Sequence, residues 1–309
     1  MFPRHHDFKF CASYKLADEI RAAVFNGYCD SPLDIASDFD NQVLKPIKNS
    51  LLHDYISHYI NQYFYFFLMD AGSDESAGDE IIQWCNEYDL PIKTPKEFYN
   101  RIGEEWLEDD TDLFIYHTEY LLEEASKSLT PLIQTEVFNL LFSDRCFLIE
   151  FNKAIADEIK ELKVADLPNV LKKDGVAKRV TYWPKWLERA LFCREKGLCA
   201  ICKTDLSSIY HTGGKVAIDH MVPLNLGGVN DSSNLQLLCQ KCNLDKLGDS
   251  IVTSNLHQTF GRKSNKNLKR DKIQLAVLFT PFTYFSQLYF ALKWALVSRE
   301  KYDTIQKSG

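Results

Sequence analysis

Two Cys-x-x-Cys pairs, Cys199 with Cys202 and Cys239 with Cys242, stand 36 residues apart in a chain of 309. A two-residue spacing turns the backbone back and aims both sulfurs at one point, so four thiolates arranged this way can surround a single tetrahedral zinc. That staple closes the base of a small unit and leaves the intervening residues to fold as an insertion. What fills the insertion is the informative part.

Residues 215–218 are a short run, Lys-Val-Ala-Ile, that predicts a strand delivering Asp219 and His220 at its end. Residues 225–234 hold Gly227-Gly228 and Asn230-Asp231-Ser232-Ser233, a turn-rich loop. Residues 235–238 predict a second strand that feeds the second cysteine pair, with Asn243 directly after Cys242 and Lys246 one helical turn on. The order is strand, loop, strand, helix over a zinc base.

Asp219-His220, then Gly-Gly, then Asn234-Leu235-Gln236, then Cys-x-x-Cys-Asn-x-x-Lys resembles the HNH endonuclease family in its zinc-stapled ββα-metal form. The resemblance covers about residues 197–250, and the last signature position is Asn243 where the family name has histidine. It implies a small nuclease fold with Asp219, His220, Asn234 and Asn243 as its site residues. Cys199, Cys202, Cys239 and Cys242 would hold a structural Zn²⁺.

The chemistry can be argued from the residues themselves. Hydrolysis of a phosphodiester needs a deprotonated water, a cation beside the developing charge, and help for the leaving oxygen. A neutral histidine, with an ordinary pKa near ~6.5, accepts the water proton at neutral pH and makes His220 the expected general base. Alternation along a strand sends Asp219 to the opposite face. The oxygens of Asp219 and Asn243 suit one hard divalent cation, Mg²⁺ or Mn²⁺, and an amide carbonyl in place of imidazole tilts the preference toward Mg²⁺. Asn234 is expected to be a brace whose amide bonds loop backbone and so fixes the His220 ring.

A second reading stays open, a non-catalytic zinc module that binds nucleic acid or a protein partner. Paired cysteines alone make many structural ribbons, and an Asp-His pair can cap a turn. The presence of all four site positions favours the enzyme, since a dead site need not keep them.

Charge divides the chain. Residues 1–171 hold 14 Lys and Arg against 32 Asp and Glu, a net of −18, whereas residues 172–273 hold 18 against 9, a net of +9. Neutralising phosphates dominates nucleic-acid affinity, so the basic third is the expected binding face and DNA the expected partner, with RNA left open. The acidic part would be repelled by the same polymer and is expected to face away, to regulate access, or to bind a regulatory or targeting protein. Lys185 and Arg189, on a basic helix with Arg194 and Lys196, are candidate phosphate contacts. So are Lys246 and a second cluster of Arg262, Lys263, Lys266, Lys269, Arg270 and Lys272.

The fold class is α+β: an acidic helical domain over 1–165, a basic linker and lead-in helix over 166–196, the nuclease core over 197–250, and a basic segment with a C-terminal helix over 251–309. Apolar spacing predicts helices over 14–25, 51–69, 80–88, 94–106 and 112–126, a loop over 70–79, and one helix from Thr130-Pro131 through residue 161. Residues 273–292 carry no formal charge, which is long enough for a membrane span, but Pro281 and five polar residues point to a helix that packs back on the chain. The scattered Cys11, Cys29, Cys85, Cys146 and Cys193 and the charged start of the sequence predict a reduced, cytoplasmic protein. A nuclease with a long helical appendage would suit anti-phage defence or restriction, by analogy of context alone.

Overall fold

A computed structural model describes residues 7–27, 30–70, 75–93, 97, 110–214 and 216–256. The predicted helices 94–106 and 273–292 lie outside the described residues, apart from Glu97 in the first.

The acidic half is built from helices whose apolar stripes meet in one core. Helix α1 (Ser13–Phe25) buries Leu16, Ile20 and Val24, and α3 (Leu51–Tyr65) buries Leu52, Ile56, Ile60 and Phe64. Both stripes follow the four-residue spacing that places side chains on one helix face. The short α2 (Phe39–Leu44) lies between them in sequence. Helix α4 (Glu75–Glu87) begins inside the stretch predicted as a loop over 70–79. Its early start adds a turn N-terminal to the apolar stripe that marked the helix from residue 80.

Helix α5 (Asp110–Glu124) runs through a π-helical turn (Ala125–Leu129) into α6 (Thr130–Ser143), so Thr130-Pro131 does not open a new helix. Proline has no N–H to give the preceding turn, and the wider π register accommodates it without ending the helix. The predicted single helix from 130 to 161 is instead two. Asp144 leaves helical geometry and accepts hydrogen bonds from Cys146 N and Phe147 N, capping α7 (Arg145–Glu161). Against the α1, α3 and α6 faces, α7 supplies Phe147, Phe151, Ile155 and Ile159.

Residues 166–180, expected as a linker, carry a hairpin. Strand β1 (Leu171–Lys173) pairs antiparallel with β2 (Val176–Ala177) across Asp174-Gly175. Gly175 has φ +67, and a Cβ there would stand 3.0 Å from Lys160 Cα and O, so the turn can press on the end of α7 only as glycine. Val170, Leu171, Val176 and Ala177 join the helical core.

Helix α8 (Lys185–Arg194) leads to the first cysteine pair, followed by the short α9 (Ser207–His211). Strands β3 (Ala217–His220) and β4 (Leu235–Leu238) pair antiparallel, Asp219 opposite Gln236 and His220 opposite Leu235, and α10 (Gln240–Lys246) follows. This is the predicted strand, loop, strand, helix order. Around the cysteines a second apolar cluster forms from Leu187, Leu191, Leu206, Leu235, Leu237 and Leu238.

The loop between β3 and β4 belongs elsewhere: Met221, Leu224 and Val229 are part of the helical core. Gly227, at φ +87, lies so close to α7 that a Cβ would overlap the Ala156 carbonyl, and one on Gly228 would overlap the Val222 carbonyl. The boundary expected at 165/166 is therefore not a seam, and the described residues through Asn255 belong to one compact unit. No helix among the described residues is long and apolar enough to cross a membrane.

Candidate active site and zinc site

The four cysteine sulfurs lie within 4.8 Å of one another, with Cys202 Sγ and Cys239 Sγ 3.7 Å apart. Tetrahedral zinc with Zn–S bonds of about 2.3 Å requires sulfurs about 3.8 Å apart, so the group fits the ion. Local structure explains the placement. Lys203, at φ +62, turns the first pair so that its N–H bonds Cys199 O at 3.0 Å. Cys239 is the N-cap of α10, its Sγ facing Cys242 N at 3.4 Å.

About 310 Å³ of open cleft lies beside this base, lined by Asp219, His220 and Asn243 together with Lys172 and Arg179. The cleft thus brings together three of the four predicted site residues. Asn234 is not among the lining residues. It is fully buried, accepts Val222 N at 2.8 Å and donates to Val222 O and Val229 O, both at 2.9 Å. The amide therefore clamps the loop backbone, and no hydrogen bond among the described residues links it to the imidazole.

The residue that does is Asn230. His220 Nε2 lies 3.0 Å from Asn230 Oδ1, and Trp183 covers the ring from a centroid distance of 5.8 Å. Burial drives the His220 pKa down to about 4, against smaller upward effects from Asn230 and Asp219. The imidazole is neutral at pH 7 and has a lone pair to offer. Nothing in the sequence marked Asn230 out from its turn-forming neighbours.

Asp219, expected on the opposite strand face, lines the same cleft as His220, and its Oδ2 is taken up by Lys246 Nζ at 2.9 Å and Gln236 Nε2 at 3.2 Å. Among the described residues no hydrogen bond engages Oδ1, and Asp219 and Asn243 both line the cleft, so their oxygens can serve as a donor set for a hard cation. Lys246, expected as a phosphate contact, is buried: its ammonium also bonds His220 O at 2.7 Å. A lone lysine one turn into a helix reads as solvated only until the strand beneath it is known.

Lys185 and Arg189 sit on the exposed side of α8. Arg194, assigned to the same basic face, is instead buried and joined to Glu195, which also pairs with the buried Arg145 of α7. Arg262, Lys263, Lys266, Lys269, Arg270 and Lys272 lie outside the described residues. Among the described residues, the basic groups that line the cleft are Lys172 and Arg179, and the signal for them was present: two basic pairs flank an Asp-Gly hairpin turn.

Residues 199–247 match the family model of the HNH endonuclease. This segment is an HNH endonuclease domain. The match begins at the first zinc-site cysteine and ends just past α10, so it takes in the sheet, the loop and every predicted site residue from Asp219 to Asn243. Lys172 and Arg179 precede the HNH domain in sequence and reach its cleft from the hairpin. No curated protein and no solved structure matches the chain.

Proposed function

We propose that this chain is a metal-dependent endonuclease that hydrolyses DNA phosphodiester bonds. The observation that carries the reading is the convergence of Asp219, His220 and Asn243 on one cleft whose rim carries Lys172 and Arg179. Neutral, buried His220 takes the proton from the attacking water. Asp219 Oδ1 and the Asn243 amide would hold Mg²⁺ or Mn²⁺, which supplies positive charge at the phosphate. With Oδ2 bound to Lys246, that pair carries little net charge, so a bound cation would draw its remaining compensation from the substrate phosphate. Lys172 and Arg179 hold the strand across the cleft, and Lys185 and Arg189 add backbone contacts. Zinc would play no chemical part; held by Cys239 and Cys242, it would tie the start of α10 to the first cysteine pair.

Incubation of the full chain with plasmid DNA, in Mg²⁺ and in EDTA, tests the proposal. The expected outcome is cleavage in Mg²⁺ alone and its loss in His220→Ala with zinc content retained. A chain that binds DNA but leaves it intact in Mg²⁺ and Mn²⁺ would make it a binding module, the one other reading that the four-cysteine site supports. A role in anti-phage defence or restriction remains a proposal of context.

A further inference from the structure

The buried hydrogen bonds around His220 reach beyond the HNH domain. Asn230 is fully buried, and its Nδ2 donates to Val43 O at 3.1 Å and Lys178 O at 2.8 Å. Its backbone N donates to Val43 O as well, at 3.0 Å. Val43 belongs to α2 of the helical half and Lys178 follows the β1–β2 hairpin. Two backbone carbonyls can only accept, so the amide nitrogen must lie on their side and Oδ1 must face the imidazole. That oxygen also can only accept. The imidazole nitrogen opposite it, Nε2, is then the one that carries hydrogen.

We infer that Asn230 is a positioning residue, locked by Val43 and Lys178, that holds His220 as the Nε2–H tautomer and leaves Nδ1 as the nitrogen that receives the proton. The inference rests on the reading of His220 as the base. The tautomer itself follows from geometry alone. No described group bonds Nδ1, and His220 lines the cleft. The acceptor for the reaction's proton is thus chosen by a residue whose own orientation is set in part from α2, 187 residues earlier in the chain. The helical half becomes part of the catalytic apparatus without contributing a side chain to it.

The tautomer can be read directly from long-range ¹H–¹⁵N correlations of the imidazole in the zinc-loaded full chain at neutral pH. Hydrogen on Nε2 of His220 is expected, and hydrogen on Nδ1 would overturn the inference whether or not the protein cuts DNA. In the same spectrum Asn230→Ala should lose the single fixed tautomer. With saturating Mg²⁺, its kcat should fall by about 10- to 100-fold, the usual effect of removing a partner that orients a site residue, while KM for a DNA oligonucleotide stays within about twofold. An unchanged kcat, or a loss confined to KM, would overturn the positioning role. If Asn230→Ala does not fold, the wild-type spectrum decides by itself.

Discussion

Single side chains in this protein take their character from what surrounds them rather than from their type. Lys172, Arg179, Lys185 and Arg189 are exposed cations, whereas Arg145, Arg194 and Lys246 are buried ones tied to carboxylates. Only the first group can release counterions from a nucleic acid. Lys172→Ala and Arg179→Ala should each weaken DNA binding and lower the slope of log K against log salt by about one. Fluorescence anisotropy over a salt series checks this, and an unchanged slope would remove the residue from the interface. His53 shows the same dependence on context. Its Nδ1 accepts Ser50 N at 3.1 Å, its backbone N faces Ser50 Oγ, and its ring stacks on Phe138, so burial lowers its pKa from 6.5 to about 4. Between those values the unfolded chain takes up a proton that the folded chain refuses, and stability falls as pH falls through the window. Glutamine at this position preserves the reciprocal cap without titrating. His53→Gln should therefore remove roughly 2 kcal/mol of the stability lost between pH 7 and pH 4.5, measured by urea denaturation at both values. The stacked Phe138 comes from α6, 85 residues further along the chain, a partner that no local pattern around His53 reveals.

At the scale of elements, the cysteine knuckles and the strand ending in Asp219-His220 were legible because each has a strong local cause: fixed ligand spacing in the first and a β-branched run in the second. The sequence was also clear about the helix stripes of α1 and α3. Less visible were the breaks and joins. Asp144 divides two helices with no glycine or proline to announce it, and Pro131 fails to divide two others because a π turn absorbs it. The β1–β2 hairpin was hidden because strands of three and two residues show no period to count. The zinc elements also carry a clear test. Without the ion, four thiols face one another around a cluster too small to hold the base of the sheet. Metal analysis should find about one zinc per chain, and Cys202→Ser should lose it together with several kcal/mol of stability. A zinc-free protein with an unchanged melting temperature would contradict the site.

On the scale of the whole molecule, net charge suggested an acidic domain tethered to a basic one, and the structure replaces the tether with a shared interior. Asp231 Oδ2 accepts Leu51 N at the start of α3, Asn152 of α7 bonds Ser233, and Gly227 lies against Ala156. Such contacts between distant stretches leave no periodic trace, which is why the sequence could show the loop but not its bed. A fragment of residues 166–273 would expose Met221, Leu224 and Val229, and would take Val43 from Asn230 and Leu51 from Asp231. It should show poor amide dispersion and no cooperative melt even with zinc. A well-dispersed fragment that binds DNA would mean that the helical half is dispensable.

The loop's bed is also earlier in the chain than the loop. During synthesis Val43, Leu51 and Ala156 emerge from the ribosome well before His220 does. A chain released early contains the bed and no cleft. The C-terminal piece of a chain cut by a protease after α7 contains the histidine and no bed. Premature termination and proteolysis therefore both fail safe, since neither product holds an assembled cleft.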